Sequence, residues 1–256
     1  MIDKHAIIDP AAELDEGVTI GPFTVIGAGV KIGKGSKIRS HVTINGPTTI
    51  GCDNKIYQFS SVGEDPQDKK FAGEETRLEI GDRNIIREFT TISRGTIQDE
   101  SFTRIGNDNL LMAYTHVAHD CIIHNHTIMA NGASLGGHVT VEDHAILGGF
   151  TLVHQFCKVG MHSFCGMGSA ITKDVLPYIT VTGNPARARS INAEGLSRRG
   201  FDKDAIRRLK QAYKLIFISK IPLSEAKIEL EKMAKDGAEI QVIIDFLVRS
   251  ERSIVR

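Results

Sequence analysis

An aliphatic residue returns at every sixth position, with two interruptions, from Ile8 to Ile171. The runs are Ile8 to Val62, Ile80 to Ile92 and Ile105 to Ile171, and of their 25 positions only Met129 and Cys165 are not Ile, Leu or Val. A small residue such as Thr24, Ser36, Thr127 or Ala133 commonly stands two places before each, and Gly often follows, as at Gly21, Gly51 and Gly136. A period of six fits neither the 3.6 of an amphipathic helix nor the 2 of an alternating strand. It fits a parallel β-helix of hexapeptides, each a short strand and a corner, with the aliphatic and the small residue pointing inward. Three hexads make a triangular coil of 18 residues, roughly 4.8 Å from the next, and about nine coils together bury a core that no single one could.

Two stretches break the register. Val62 to Ile80 spans 18 residues without hexads, and Ile92 to Ile105 spans 13, one more than two hexads. Both should leave the coil as loops, near 63–79 and 93–104, and long loops on a rigid solenoid are where function usually sits. The repeat ends at Ile171. A connector with Pro177 and Pro185 leads to helical patterns: one capped by Asp202 with Leu209 and Ile216 on its face, one from Pro222 and Ser224, and one over about 238–250. The expected organisation is a β-helix over 1–186 and a helical unit over 187–256 that covers the open end or meets a neighbouring subunit. The triangular cross-section suggests a cyclic trimer.

Charge is balanced overall but not along the chain. Residues 1–186 carry 15 basic and 21 acidic residues, and 187–256 carry 16 and 10. The excess concentrates in 187–214 and is too small and too poor in aromatics for a nucleic-acid surface. It reads as a solvated helix face or as a docking patch for an acidic protein. No signal peptide or membrane span is evident, so a cytoplasmic location is expected. The four cysteines agree: Cys121 and Cys157 lie two coils apart, roughly 10 Å, too far for a disulfide, and all four should be reduced and structural.

Of the ten histidines, eight fall between 116 and 162. On an 18-residue coil His119, Gly137 and Gln155 share one column and His138 lies over Asp120, with His116 and His154 close by. A single histidine there would be a surface residue. A group converging beside a glycine backbone and an aspartate points to a site, with an Asp-oriented imidazole as general base and a corner N–H for an oxyanion. His126, His144 and His162 form a second column, whose spacing is too long for one metal ion, so no metal is expected there. The glycines of IGAGVKIG fit the hexad phase and not a dinucleotide-binding loop.

NLLMAYTHVAHDC, LGGH, LVHQF, QDKK and INAEGLSRRGF closely resemble the UDP-N-acetylglucosamine O-acyltransferases that begin lipid A biosynthesis, and the similarity covers essentially the whole chain. The resemblance implies a left-handed β-helix, a homotrimer with sites between subunits, and no bound cofactor. It implies transfer of a 3-hydroxyacyl group, carried on the phosphopantetheine of acyl carrier protein, to the 3-hydroxyl of UDP-N-acetylglucosamine. His119 would be the base, Asp120 its orienter and Gly137 the oxyanion donor. Asp68, Lys70, His116, His138, His154 and Gln155 would hold the sugar nucleotide, with Asn192, Glu194, Arg198 and Arg199 at the uridine and phosphates. Arg207, Arg208, Lys210 and Lys214 would dock the carrier protein. Met167, where some members have Gly, would shorten the acyl groove and favour a medium-length donor. Two other readings are weighed. The N-acyltransferases of the same pathway carry an N-terminal domain for which hexads starting at Ile8 leave no room. A zinc hydratase on this fold would use His119 and His124, yet Arg83 stands where its third ligand belongs.

Overall fold

The structure, a computed structural model, describes all 256 residues. Its strands form three parallel sheets, the faces of a triangular prism. The first face has nine strands, from Ile7–Ile8 to Ala170–Ile171; the second has eight, from Glu13–Leu14 to Lys158–Val159. The third has ten, from Thr19–Ile20 to Ile179–Thr182, closed by the antiparallel Arg187–Ile191. That last strand shifts the start of the helical unit from 187 to about 192.

Partners in the ladder lie 18 residues apart, as in Ile7 with Val25 and His116 with Ser134. The step widens to 30 between Ser61 and Thr91 and to 25 between Thr91 and His116. The excursions responsible run over 65–76 and 94–101, between Ser61–Glu64 and Arg77–Ile80 and between Thr91–Ser93 and Phe102–Ile105. They are shorter than the broken register suggests because the flanking strands lengthen. Arg77 and Leu78 pair with Phe102 and Thr103, so backbone groups that hydrophobic period alone leaves unassigned join the ladder.

The hexad aliphatics fill the prism: Ile44, Ile56, Ile86, Leu111, Val117 and Leu147 have no exposed surface. Corners are often built from non-glycine residues in the left-handed region, among them Phe59, Asp120 and His144, so glycine is not obligatory at that turn. All four cysteines are free. Burial pushes the thiols of Cys121 and Cys165 up to about 12, but Cys52 is exposed and has no core role.

Helices follow at the C-terminal end: α1 (Ala193–Arg198), α2 (Lys203–Phe217), α3 (Leu223–Met233) and α4 (Ala238–Arg249). Asp202 caps α2 by accepting from the Ala205 N–H at 2.7 Å, and Leu209, Ala212 and Ile216 are buried beneath it. None of the helices is long and apolar enough to cross a membrane.

Candidate active site

Where the first face turns into the second, successive coils place Asp120, His138 and Phe156 in the left-handed region. Each corner therefore repeats the one below it. The His138 N–H donates to the His119 carbonyl (3.1 Å) and the Phe156 N–H to the Gly137 carbonyl (3.0 Å), which files His119, Gly137 and Gln155 one above another. A Cβ on Gly137 would lie 2.5 Å from His119 Cε1. The imidazole thus occupies the space of a side chain at 137, and glycine is needed for close approach rather than for its φ. The Gly137 N–H donates to no group of the protein.

His119 Nδ1 lies 2.7 Å from Asp120 Oδ2. The carboxylate also accepts from the Thr96 N–H (2.8 Å) and the Thr96 hydroxyl (2.6 Å). Burial opposes its ionisation, but the bonds from His119 and Thr96 and the nearby His138 outweigh it and hold its pKa below the usual range. An ionised carboxylate can only accept, so the proton sits on Nδ1 and Nε2 keeps its lone pair. His138 is fixed by a 2.8 Å bond between Nδ1 and Asp99 Oδ2, and its ring stacks on Phe156 with centroids 4.3 Å apart. His119, Asp120 and His138 have potential metal-ligating atoms within 4.8 Å of one another. Both Nδ1 atoms and Asp120 Oδ2 are already hydrogen-bonded, while neither Nε2 is.

Thr96, Gln98 and Asp99 were not legible as site residues. They belong to the second excursion, where the hexad register that aligns the columns is lost. Arg94 ties the two excursions together: it donates to the Gly63 carbonyl at 2.6 Å and pairs with Asp65. The first excursion contributes Gln67, Asp68 and Lys70 to a cleft of about 580 Å³ that His119, His138 and Gln155 also line. Asp68 and Lys70 thus line the same cleft as His119 and Gln155. His116 sits beside it, with Nδ1 2.7 Å from the Thr91 hydroxyl, and burial lowers its pKa. His154 turns its Nδ1 to Arg252, 2.9 Å away.

Other expected residues lie elsewhere. Asn192, Glu194 and Arg198 line a separate pocket of about 370 Å³ with Ile146, Phe164 and Thr180 on the third face. Asn192 caps α1, and Glu194 pairs with Arg198. Arg199 sits half-buried near His144 and His162, and desolvation lowers its pKa. Within one chain these four do not meet His119, because the third face and the first-to-second vertex are opposite parts of the prism. Met167 is 82% exposed at the vertex between the third and first faces. Arg208 is engaged by Glu239 at 2.6 Å, whereas Lys203, Arg207, Lys210 and Lys214 are exposed on α2, with Arg207 3.0 Å from Asp204.

The second histidine column is a stack: ring centroids of His126 and His144 are 4.8 Å apart, and those of His144 and His162 are 4.6 Å apart. Burial, then the neighbouring cations, lowers His144 and brings His162 to about 4. Neutral rings can stack there without repulsion. His124 belongs to the second-to-third vertex, in a pocket with Glu142 and Arg249, so within one chain it does not share a site with His119.

Comparison with known proteins adds independent findings. The family pattern described as UDP-N-acetylglucosamine O-acyltransferase, domain 2, matches residues 174–255, and the bacterial transferase hexapeptide pattern matches 1–46 and 102–137. The acyl-[acyl-carrier-protein]–UDP-N-acetylglucosamine O-acyltransferase of Stutzerimonas stutzeri is 54% identical over 256 residues, covering 100% of this chain and 99% of that one. Among solved structures, LpxA from Acinetobacter baumannii superposes with a TM-score of 0.98 at 49% identity, covering 100% of this chain and 99% of that one. The UDP-N-acetylglucosamine acyltransferase of Arabidopsis does so with 0.88 at 34%, covering 100% of both chains.

Proposed function

The chain belongs to the UDP-N-acetylglucosamine O-acyltransferase family, and on that premise we propose how its own residues carry the reaction. It is an acyl-[acyl-carrier-protein]–UDP-N-acetylglucosamine O-acyltransferase, catalysing the first step of lipid A biosynthesis on a left-handed parallel β-helix with a helical C-terminal unit. The observation that carries the mechanism is the free Nε2 of an imidazole whose Nδ1 is held by a buried carboxylate. His119 Nε2 takes the proton of the sugar 3-hydroxyl as its oxygen attacks the thioester carbon. The Gly137 N–H, unbonded within the protein, donates to the oxyanion. The C–S bond then breaks, and His119 returns the proton to the departing phosphopantetheine thiolate. Asp120 stays ionised throughout and stabilises the imidazolium.

Asp68, Lys70, His138 and Gln155 line the cleft and would orient the glucosamine. His116 and His154 flank it. Asn192, Glu194, Arg198 and Arg199 can serve the nucleotide only if a second copy brings its third face to this vertex, which supports a homotrimer with sites between subunits. Arg207, Lys210 and Lys214 would receive the acidic carrier protein, and the reaction needs no bound cofactor. Four unpaired cysteines fit a cytoplasmic location.

Replacing Gly137 by Ala tests the close packing at the column. The new methyl must displace the His119 ring, so kcat should fall by about 10²-fold while the melting temperature changes little. Unchanged turnover would mean that His119 does not act from its observed place.

Met167 supports a medium-length 3-hydroxyacyl donor, because where some members have Gly its side chain would fill volume that a longer chain would use. With a series of hydroxyacyl carrier proteins, Met167→Gly should move the preferred donor to longer chains. An unaltered preference would remove Met167 as the length determinant.

A further inference from the structure

The segment after α4 is built into the fold. The Val255 N–H donates to the Asp174 carbonyl (2.8 Å), and the Asp174 N–H donates to the Ser253 carbonyl (2.9 Å). The Ser250 hydroxyl donates to the buried Asp174 carboxylate (2.7 Å), and Ile254 and Val255 are buried. Upstream, Lys158 Nζ donates to the Arg249 carbonyl at 2.5 Å. Arg252 is therefore held on both sides.

Its Nη2 lies 2.9 Å from His154 Nδ1 and 3.3 Å from the Gln155 carbonyl. A guanidinium only donates, so in its contact with Arg252 the His154 Nδ1 accepts and the ring proton is on Nε2. Nδ1 also comes within 3.1 Å of the Gln155 carbonyl. That carbonyl is an acceptor and would favour a proton on Nδ1, but the shorter contact, to the Arg252 cation, favours Nε2–H. The Gln155 carbonyl shares its peptide group with the Phe156 N–H, which donates to the Gly137 carbonyl. The Gly137 carbonyl in turn shares its peptide group with the His138 N–H, which donates to His119. Arg252 thus ends a file of hydrogen-bonded peptide groups that runs through the column to His119, and a cation at the carbonyl end polarises such a file favourably.

We propose that Arg252 is a positioning residue for acyl transfer. It fixes His154 as the Nε2–H tautomer, so that the ring offers a donor beside Gln155, and it anchors the corner peptide above Gly137. The kinetic consequence rests on the acyltransferase function; the tautomer does not.

The test is ring-¹⁵N histidine NMR on the full chain, with His154 assigned by loss of its signals in His154→Gln, alongside steady-state acyl transfer. At neutral pH the wild-type protein should carry the His154 proton on Nε2. Arg252→Ala should move it to Nδ1 or to a mixture, and so should Arg252→Met, which keeps a long side chain but has no donor. Both should lower kcat/KM by about tenfold, the scale of one charge-assisted hydrogen bond. Arg252→Lys, another donor, should keep Nε2–H and recover part of the rate. A wild-type proton on Nδ1, or Ala and Met variants with wild-type ¹⁵N signals or wild-type kcat/KM, would overturn the proposal. Failure of the wild-type chain to transfer an acyl group would instead count against the functional reading, which the tautomer measurement does not need.

Discussion

His119→Ala is expected to lower kcat for acyl transfer to UDP-N-acetylglucosamine by about 10²- to 10⁴-fold, the usual contribution of a positioned general base. The substitution removes the imidazole packed against the Gly137 backbone, whose Nε2 keeps its lone pair. Few groups nearby can replace it. His138 Nδ1 is committed to Asp99, and Asp120 is ionised but held by His119 and Thr96 below the usual carboxylate range. The fold should survive, since the His119 side chain keeps 14% of its surface exposed and is not part of the aliphatic core. KM for the nucleotide should change far less than kcat, because cleft residues such as Asp68 and Lys70 remain in place. A variant that retains wild-type turnover would remove His119 as the base.

Leu111→Ala should cost about 2–5 kcal/mol of unfolding free energy, read from denaturant curves on the intact protein. Leu111 has no exposed surface and belongs to the third face, between Ile86 in the coil below and Met129 in the coil above. The stacked coils give the site no loose neighbour able to collapse into the void. A loss under about 1 kcal/mol would show that the coil relaxes around the cavity and that the hexad core is less tightly packed than its burial implies.

The two predictions differ in how far sequence alone could reach them. Leu111 was visible at once as one of a series six residues apart. His119 became visible only because an undisturbed run of 18-residue coils puts Gly137 and Gln155 directly over it. Thr96 and Asp99, which orient Asp120 and His138, were not visible. They lie on an excursion with no period, and their contacts join residues 24 and 39 apart. Arg208 looked free by its charge, yet Glu239, far along the chain and on another helix, holds it.

By itself the sequence determined the prism, its core, the interruption points and the file of His119, Gly137 and Gln155, because burial of one aliphatic per hexad leaves a single register in which the coils can stack. Only the tertiary structure decided which loop residues hold the carboxylate and the second imidazole, where the terminal arm is anchored, and that the nucleotide-binding candidates of α1 stand on a different face from His119. Those choices depend on bonds between segments distant in the chain, whose energies local pattern does not encode.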